Sequence, residues 1–207
     1  NQLLDISKIK SAVGNADWRN GNITAQVAMI VETYRDYARN RNIDLQFFAK
    51  DTVEMDFVPG YVNKVMNNLL SNALKFTPEY GKVSVMMWRE GERLLIDVAD
   101  TGQGMDEETL AHVFEPFYQG ESDTHNIGTG VGLALVKQVM DAVEGTVTAE
   151  STKGRGTTFH LSVPIRNEAK QRITATSETH TPLLPEAGTP LADNEGEENQ
   201  CRLLVIE

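Results

Sequence analysis

A chain of 207 residues with 40% hydrophobic and 24% charged content is long enough to bury one substantial core, and its formal net charge of −11 argues against a nucleic-acid surface, which needs clustered Lys and Arg. No run approaches the roughly 18 uninterrupted apolar residues of a membrane helix, and the N-terminus has no basic-then-apolar export signal, so a soluble, cytoplasmic domain is expected. The lone cysteine, Cys201, has no partner for an internal disulfide, so packing must hold the fold, as suits a reducing compartment.

Ile6, Ile9 and Val13 lie at three- and four-residue spacing, the apolar seam of a helix already in progress at residue 1, and Gly14-Asn15 ends it. From Ile23 to Arg41 the period is helical again, with Val27, Ile30, Val31, Tyr34 and Ala38 on one face. Ile43 to Ala49 and Val53 to Val58 carry β-branched and aromatic residues between polar breaks and predict two strands. Pro59-Gly60 opens a long helix through Phe76, stopped by Thr77-Pro78. Lys82 to Trp88 and Arg93 to Ala99 flank Glu90-Gly91-Glu92 as a hairpin that runs straight into Asp100. A short helix near Glu107 to Val113, a helix from Gly132 to Val143, and a closing hairpin of Gly145 to Glu150 and Thr157 to Val163 follow, the last joined by Lys153-Gly-Arg-Gly. The predicted class is α+β: a two-layer sandwich with a mixed, mostly antiparallel sheet covered by three helices on one face. From Asn167 the composition turns to Thr, Glu, Pro, Gly and Ser, which predicts a flexible acidic linker over 167–200. Residues 201–207 then resume a buried-strand pattern, Leu203-Leu-Val-Ile.

Three blocks carry chemistry. Asn68, Asn72 and Lys75 project from one face of the long helix while Leu69, Leu70, Ala73 and Leu74 point to the core. An amide oxygen suits Mg²⁺ when a triphosphate already brings negative charge, and a lysine neutralises phosphate as a point charge. Taken alone, Asn-x-x-x-Asn reads more simply as a solvated helix face. Asp100, ending an apolar strand, needs a donor for its carboxylate. The exocyclic amine of adenine is one, and Gly102 and Gly104 would let a base approach the backbone; the plainer reading is an Asp-Thr-Gly turn. Gly128-Thr129-Gly130-Val131-Gly132-Leu133 is a glycine-rich turn opening a helix, where backbone N–H groups collect phosphate oxygens, and its spacing is not that of a dinucleotide fold. Phe114-Glu-Pro-Phe117 precedes a Gly-, Ser- and Asp-rich stretch of lid length, although aromatics around a proline are more often packing plugs. The four histidines, at 112, 125, 160 and 180, show no metal-ligand spacing.

Together these blocks make the chain resemble the catalytic and ATP-binding domain of sensor histidine kinases, in the superfamily shared with gyrase-type, chaperone and mismatch-repair ATPases. The resemblance spans Ile23 to Ile165. Asn68-Leu-Leu-Ser-Asn-Ala-Leu-Lys-Phe matches the N box, Asp100-Thr-Gly-Gln-Gly the G1 box, Phe114-Glu-Pro-Phe the F box and Gly128-Thr-Gly-Val-Gly-Leu the G2 box. It implies a Bergerat-type fold and an ATP site. In that site Asn72 coordinates Mg²⁺, Asn68 supports metal and phosphates, Lys75 contacts phosphate and Asp100 takes adenine. Gly102, Gly104, Met105, Phe117 and the run Gly128 to Leu133 complete the contacts. The hydrolysing branches carry a glutamate where this chain has Asn68, and an amide cannot accept the proton of an attacking water. The implied reaction is therefore phosphoryl transfer to a histidine on an adjoining dimerisation domain, and no histidine here sits in the acceptor motif. The implied organisation is residues 1–13 as the end of the second dimerisation helix, 14–166 as the catalytic domain, 167–200 as linker and 201–207 as the first strand of a receiver domain in a hybrid kinase. The expected partners are the histidine phosphoacceptor domain and a receiver domain, with no nucleic acid and with this domain facing the cytoplasm if the parent is anchored in the inner membrane. A degenerate nucleotide-binding scaffold and a true ATPase are the alternatives.

Overall fold

In the computed structural model of the chain, residues 16–118 and 130–173 are described. In chain order they form β1 (Arg19–Asn22), α1 (Ile23–Thr33), α2 (Arg35–Asn40), β2 (Asp44–Ala49), β3 (Glu54–Phe57) and α3 (Pro59–Phe76). There follow β4 (Lys82–Glu90), β5 (Arg93–Asp100), α4 (Glu107–His112), α5 (Gly132–Ala142), β6 (Thr146–Thr152) and β7 (Gly156–Pro164). Alternation dictates the sheet: Val83, Val85 and Met87 of β4 and Leu94, Ile96 and Val98 of β5 are buried, while Ser84, Met86, Leu95 and Asp97 between them are not. Five strands run in the order β2-β4-β5-β7-β6, with β2 parallel to β4 and the other pairs antiparallel. The fold is the expected α+β sandwich. Helix α3 lies at the centre of the helical layer, against α1 on one side, α5 on the other and β5 beneath.

Three features depart from the sequence pattern. The helix expected over 23–41 is broken at Tyr34, where the Thr33 hydroxyl donates to Ile30 O at 2.6 Å and the Tyr34 N–H turns to Val31 O at 3.0 Å. The Tyr34 ring is fully buried, its hydroxyl 3.1 Å from Asn67 Oδ1, and burial pushes that phenol up to about 12. Second, Arg19-Asn-Gly-Asn carries no strand signal, yet it pairs antiparallel with β3 in a ribbon separate from the main sheet.

Third, residues 167–173 are not a free linker but a strap packed on the domain. Asn20 N donates to Gln171 O at 2.7 Å and Ile173 N to Asn20 O at 2.9 Å, extending the ribbon, and the Ile173 side chain sits where a Cβ on Gly21 would be 3.2 Å away. The buried Asp56 carboxylate accepts the backbone N–H groups of Glu168 and Ala169 and the Asn20 amide. The packed edge thus runs to Ile173 rather than stopping at 166. An apolar cavity of about 70 Å³ lies nearby, between the N-terminal half of α3 and the C-terminal half of α5 and lined by Trp18, Phe57, Tyr61 and Met140. No helix among the described residues is long and apolar enough to cross a membrane.

Candidate nucleotide site

Pro59 opens α3 at its first turn and Thr77 closes it, its N–H and its hydroxyl both donating to Ala73 O. Leu69, Leu70, Ala73 and Leu74 are buried, and Asn68, Asn72 and Lys75 stand half-buried along the opposite side, as the helical period requires. Asn68 Nδ2 donates to Lys64 O at 2.7 Å, which sets its amide oxygen against Gly132: a Cβ on that glycine would lie 2.4 Å from Asn68 Oδ1. The first block and the glycine turn therefore meet. Gly130 adopts a left-handed φ of 67°, and its carbonyl accepts the N–H of Phe117 at 2.8 Å; Phe117 is itself left-handed at 66°, a strained setting for an aromatic residue. Gly132→Ala should push the Asn68 amide off its seat and weaken ATP binding by about 1 kcal/mol, with little change in the unfolding midpoint; nucleotide titration alongside thermal melting checks this.

The second block is held between the end of α3 and the β6–β7 hairpin. Gln103 N donates to Phe76 O at 3.3 Å and Gly154 N to Gln103 O at 2.6 Å. A Cβ on Gly102 would lie 2.6 Å from Phe76 O, and one on Gly104, where φ is 63°, would lie 2.0 Å from Thr152 O. Close backbone packing within the protein is thus a sufficient reason for both glycines, where the sequence suggested room for a base. Asp100 finds two donors at home, the Gly102 N–H at 2.8 Å and the Thr157 N–H. Burial nevertheless dominates and pushes its carboxyl above the usual carboxylate range, with those two N–H groups pulling the other way.

Tertiary structure adds residues to which the sequence pattern assigned only a place in the closing hairpin, at its turn or beside it. Gly156, at φ 107°, lets β7 close on β5, since a Cβ there would meet Asp100 O at 1.9 Å. Thr157, 8% exposed, pairs directly with Asp100 in the antiparallel ladder, so both side chains project toward the helical layer. Ser151 Oγ lies 2.9 Å from Thr157 Oγ1 and accepts the Met105 N–H at 2.8 Å. The signal available was Gly156-Thr157 after Lys153-Gly-Arg, which periodicity reports only as a hairpin tip. Of the other expected contacts, Met105 and Leu133 pack partly against the core, Val131 occupies the N-cap position of α5 with no side-chain capping bond, and Lys75 Nζ lies 5.1 Å from the Phe76 ring centre. Phe114 meets Phe159 edge-to-face at 6.2 Å, a packing role. Gly128 and Thr129 lie outside the described residues, as do the segments expected to be the dimerisation helix, most of the linker and the receiver strand.

Residues 58–167, just over half of the chain and holding all three blocks, match the family described as histidine kinase-, DNA gyrase B-, and HSP90-like ATPase, and the chain belongs to that family. Among curated proteins it is 31% identical over 196 residues to the autoinducer 2 sensor kinase/phosphatase LuxQ of Vibrio harveyi, covering 90% of this chain and 23% of that protein. It is 34% identical over 169 residues to the circadian input-output histidine kinase CikA of Synechococcus elongatus, covering 79% and 22%. The chain thus spans less than a quarter of the length of either relative. Among solved structures, the nucleotide-free catalytic domain of histidine kinase ThkA superposes with a TM-score of 0.65 at 22% identity, over 72% of this chain and 97% of that one. Full-length ShkA in complex with AMPPNP superposes with a TM-score of 0.71 at 25% identity, over 82% of this chain and 35% of that one. Motifs, fold and relatives agree: this is the ATP-binding catalytic domain of the sensor histidine kinase class.

Proposed function

We propose that this domain binds ATP with Mg²⁺ and delivers the γ-phosphate to a histidine on a dimerisation domain of the same parent, without hydrolysing it. One observation supports this above the others: the side chain at the position where the hydrolysing branches place a base is an amide, Asn68, tied to Lys64 O and seated against Gly132. A neutral amide does not take a proton from water. Catalysis is then left to positioning and charge neutralisation, as phosphoryl transfer allows. Asn72 offers one neutral oxygen to the metal, Lys75 a positive charge to phosphate, and Asp100 acceptor oxygens to the purine amine. The run from Gly128 to Leu133 holds phosphates on backbone N–H groups beside Phe117, and Gly102, Gly104 and Met105 form the wall that carries Asp100. Among the described residues no group of three or more His, Cys, Asp or Glu is placed to hold a metal, so an ion bound here would draw most of its ligands from the nucleotide. A receiver domain downstream of residue 200, in a hybrid parent, is the proposed next recipient of the phosphoryl group.

The test is calorimetric titration with AMPPNP, with and without Mg²⁺, followed by radiolabelled ATP in the presence of a separate dimerisation domain from a relative. Metal-dependent binding and label on that domain's histidine, with little free phosphate released, is the expected result. Steady phosphate release by the domain alone would mark an ATPase, and absence of binding by the folded chain would mark a scaffold.

A further inference from the structure

We propose that Ser151 makes this site select purines with a 6-amino group, by fixing the direction in which the Thr157 hydroxyl points. The inference rests on the assignment of Asp100 to the purine and adds a specificity-determining residue to it.

A serine hydroxyl has one proton to give and two lone pairs that accept. Ser151 Oγ has three neighbours at hydrogen-bonding distance: Gly156 O at 2.9 Å, Met105 N at 2.8 Å and Thr157 Oγ1 at 2.9 Å. The first two cannot change roles. A carbonyl oxygen only accepts, so the serine proton goes to Gly156 O; a backbone N–H only donates, so Met105 takes one lone pair. The remaining lone pair faces Thr157 Oγ1, and Thr157 must supply the proton. The Thr157 hydroxyl is thereby turned toward Ser151, with its own lone pairs free on the other side.

The backbone keeps this arrangement in place. Gly156 is pinned at φ 107° against Asp100 O, and Met105 follows Gly104, which is pinned at φ 63° against Thr152 O. Asp100 and Thr157 are cross-strand neighbours on one face, and an ionised carboxylate also offers only lone pairs. The pair therefore presents acceptors and no side-chain donor to a ligand. An exocyclic amine satisfies them with its two N–H groups. A 6-oxo purine would place its own lone pairs against theirs, and a site built to bond one group rejects the analogue that leaves its buried polar atoms unmet. Without Ser151, the Thr157 proton is free to rotate toward the ligand and donate to an oxo group.

The experiment measures affinities of AMPPNP and its 6-oxo inosine counterpart, both with Mg²⁺, for wild type, Ser151→Ala, Ser151→Thr, Thr157→Val and Asp100→Asn. Wild type should prefer the 6-amino nucleotide by about a hundredfold. Ser151→Ala should narrow that preference by about tenfold, and Ser151→Thr, which keeps the hydroxyl, should restore it. Thr157→Val should narrow it too, and the double variant Ser151→Ala/Thr157→Val should narrow it no further. If Ser151→Ala weakens both nucleotides equally and leaves their ratio intact, Ser151 only buttresses the turn through Met105 and the proposal is wrong. Should Ser151→Ala not fold, an unchanged ratio in Thr157→Val overturns it equally. The two assignments fail differently: a wild type with no 6-amino preference, or one whose preference survives Asp100→Asn, removes the role of Asp100 at the purine and this proposal with it.

Discussion

Asp100→Asn is expected to weaken ATP binding by roughly 1–3 kcal/mol while leaving the domain as stable as wild type or more so. The two effects separate because the carboxylate is poorly placed for folding. Burial raises its pKa above the ordinary value, the Gly102 and Thr157 N–H groups compensating only in part, so the folded state favours the protonated form. A carboxyl with a raised folded-state pKa contributes stability that is greatest at low pH and is lost as pH rises through that pKa. At neutral pH the ionised group therefore costs stability, and a neutral asparagine removes that cost while keeping one oxygen for the backbone donors. What asparagine loses is negative charge facing a purine amine. Wild-type affinity should fall as pH drops through the raised pKa, and the variant should lack that step. Calorimetric titration across pH, with thermal unfolding on the same samples, reads both arms; unchanged affinity in the variant would refute the role, and a fall in stability equal to the fall in binding would make Asp100 a structural residue.

The second large effect is predicted far from the nucleotide. Asp56→Ala should destabilise the domain by about 1–3 kcal/mol, because it removes at once the buried acceptor of two half-buried hydrogen bonds from the strap backbone and of one from the Asn20 amide. Asp56 is 4% exposed. Burial presses against its charge, but the Asn20 amide and the Ala169 and Glu168 N–H groups outweigh it and hold the carboxyl below the usual range. The pH dependence is the reverse of that for Asp100: this stability is present above the unfolded-state carboxylate pKa and is lost as pH falls through the lower folded-state value. Urea unfolding should show the loss, and hydrogen exchange should show the amides of Glu168, Ala169 and Ile173 opening first. Retained protection of those amides in Asp56→Ala would mean that the strap is held by its pairing with β1 alone. Nucleotide affinity should be nearly unchanged, since Asp56 lies beside the N-terminal half of α3 rather than beside Asn72 or Lys75.

These two aspartates also mark what local pattern reveals. Asp100 was visible because an apolar strand ending in a carboxylate beside glycines is a local anomaly, readable within six residues. Asp56 sits in a strand like many others, and its partners are 112 and 113 positions away. The polar composition of 167–173 predicts a linker because composition reports only that a segment cannot bury a core of its own, not that a buried carboxylate elsewhere will take up its N–H groups. The break at Tyr34 was hidden for a related reason: helical periodicity continues through it, while in the structure the Thr33 hydroxyl bonds Ile30 O and the Tyr34 N–H turns to Val31 O.

The sequence by itself determined the class of fold, the helical face carrying Asn68, Asn72 and Lys75, the carboxylate at the end of β5 and the family, because each depends on periodicity or on chemistry spaced within one turn or one strand. Only the tertiary structure decided that Asn68 rests on Gly132, that Thr157 stands beside Asp100, that Ser151 Oγ lies 2.9 Å from the Thr157 hydroxyl, and that the strap closes on Asp56. Those contacts are fixed by strand register and by backbone approach between segments far apart in the chain, and a side chain's hydrogen-bonding role is undefined until its neighbours are known.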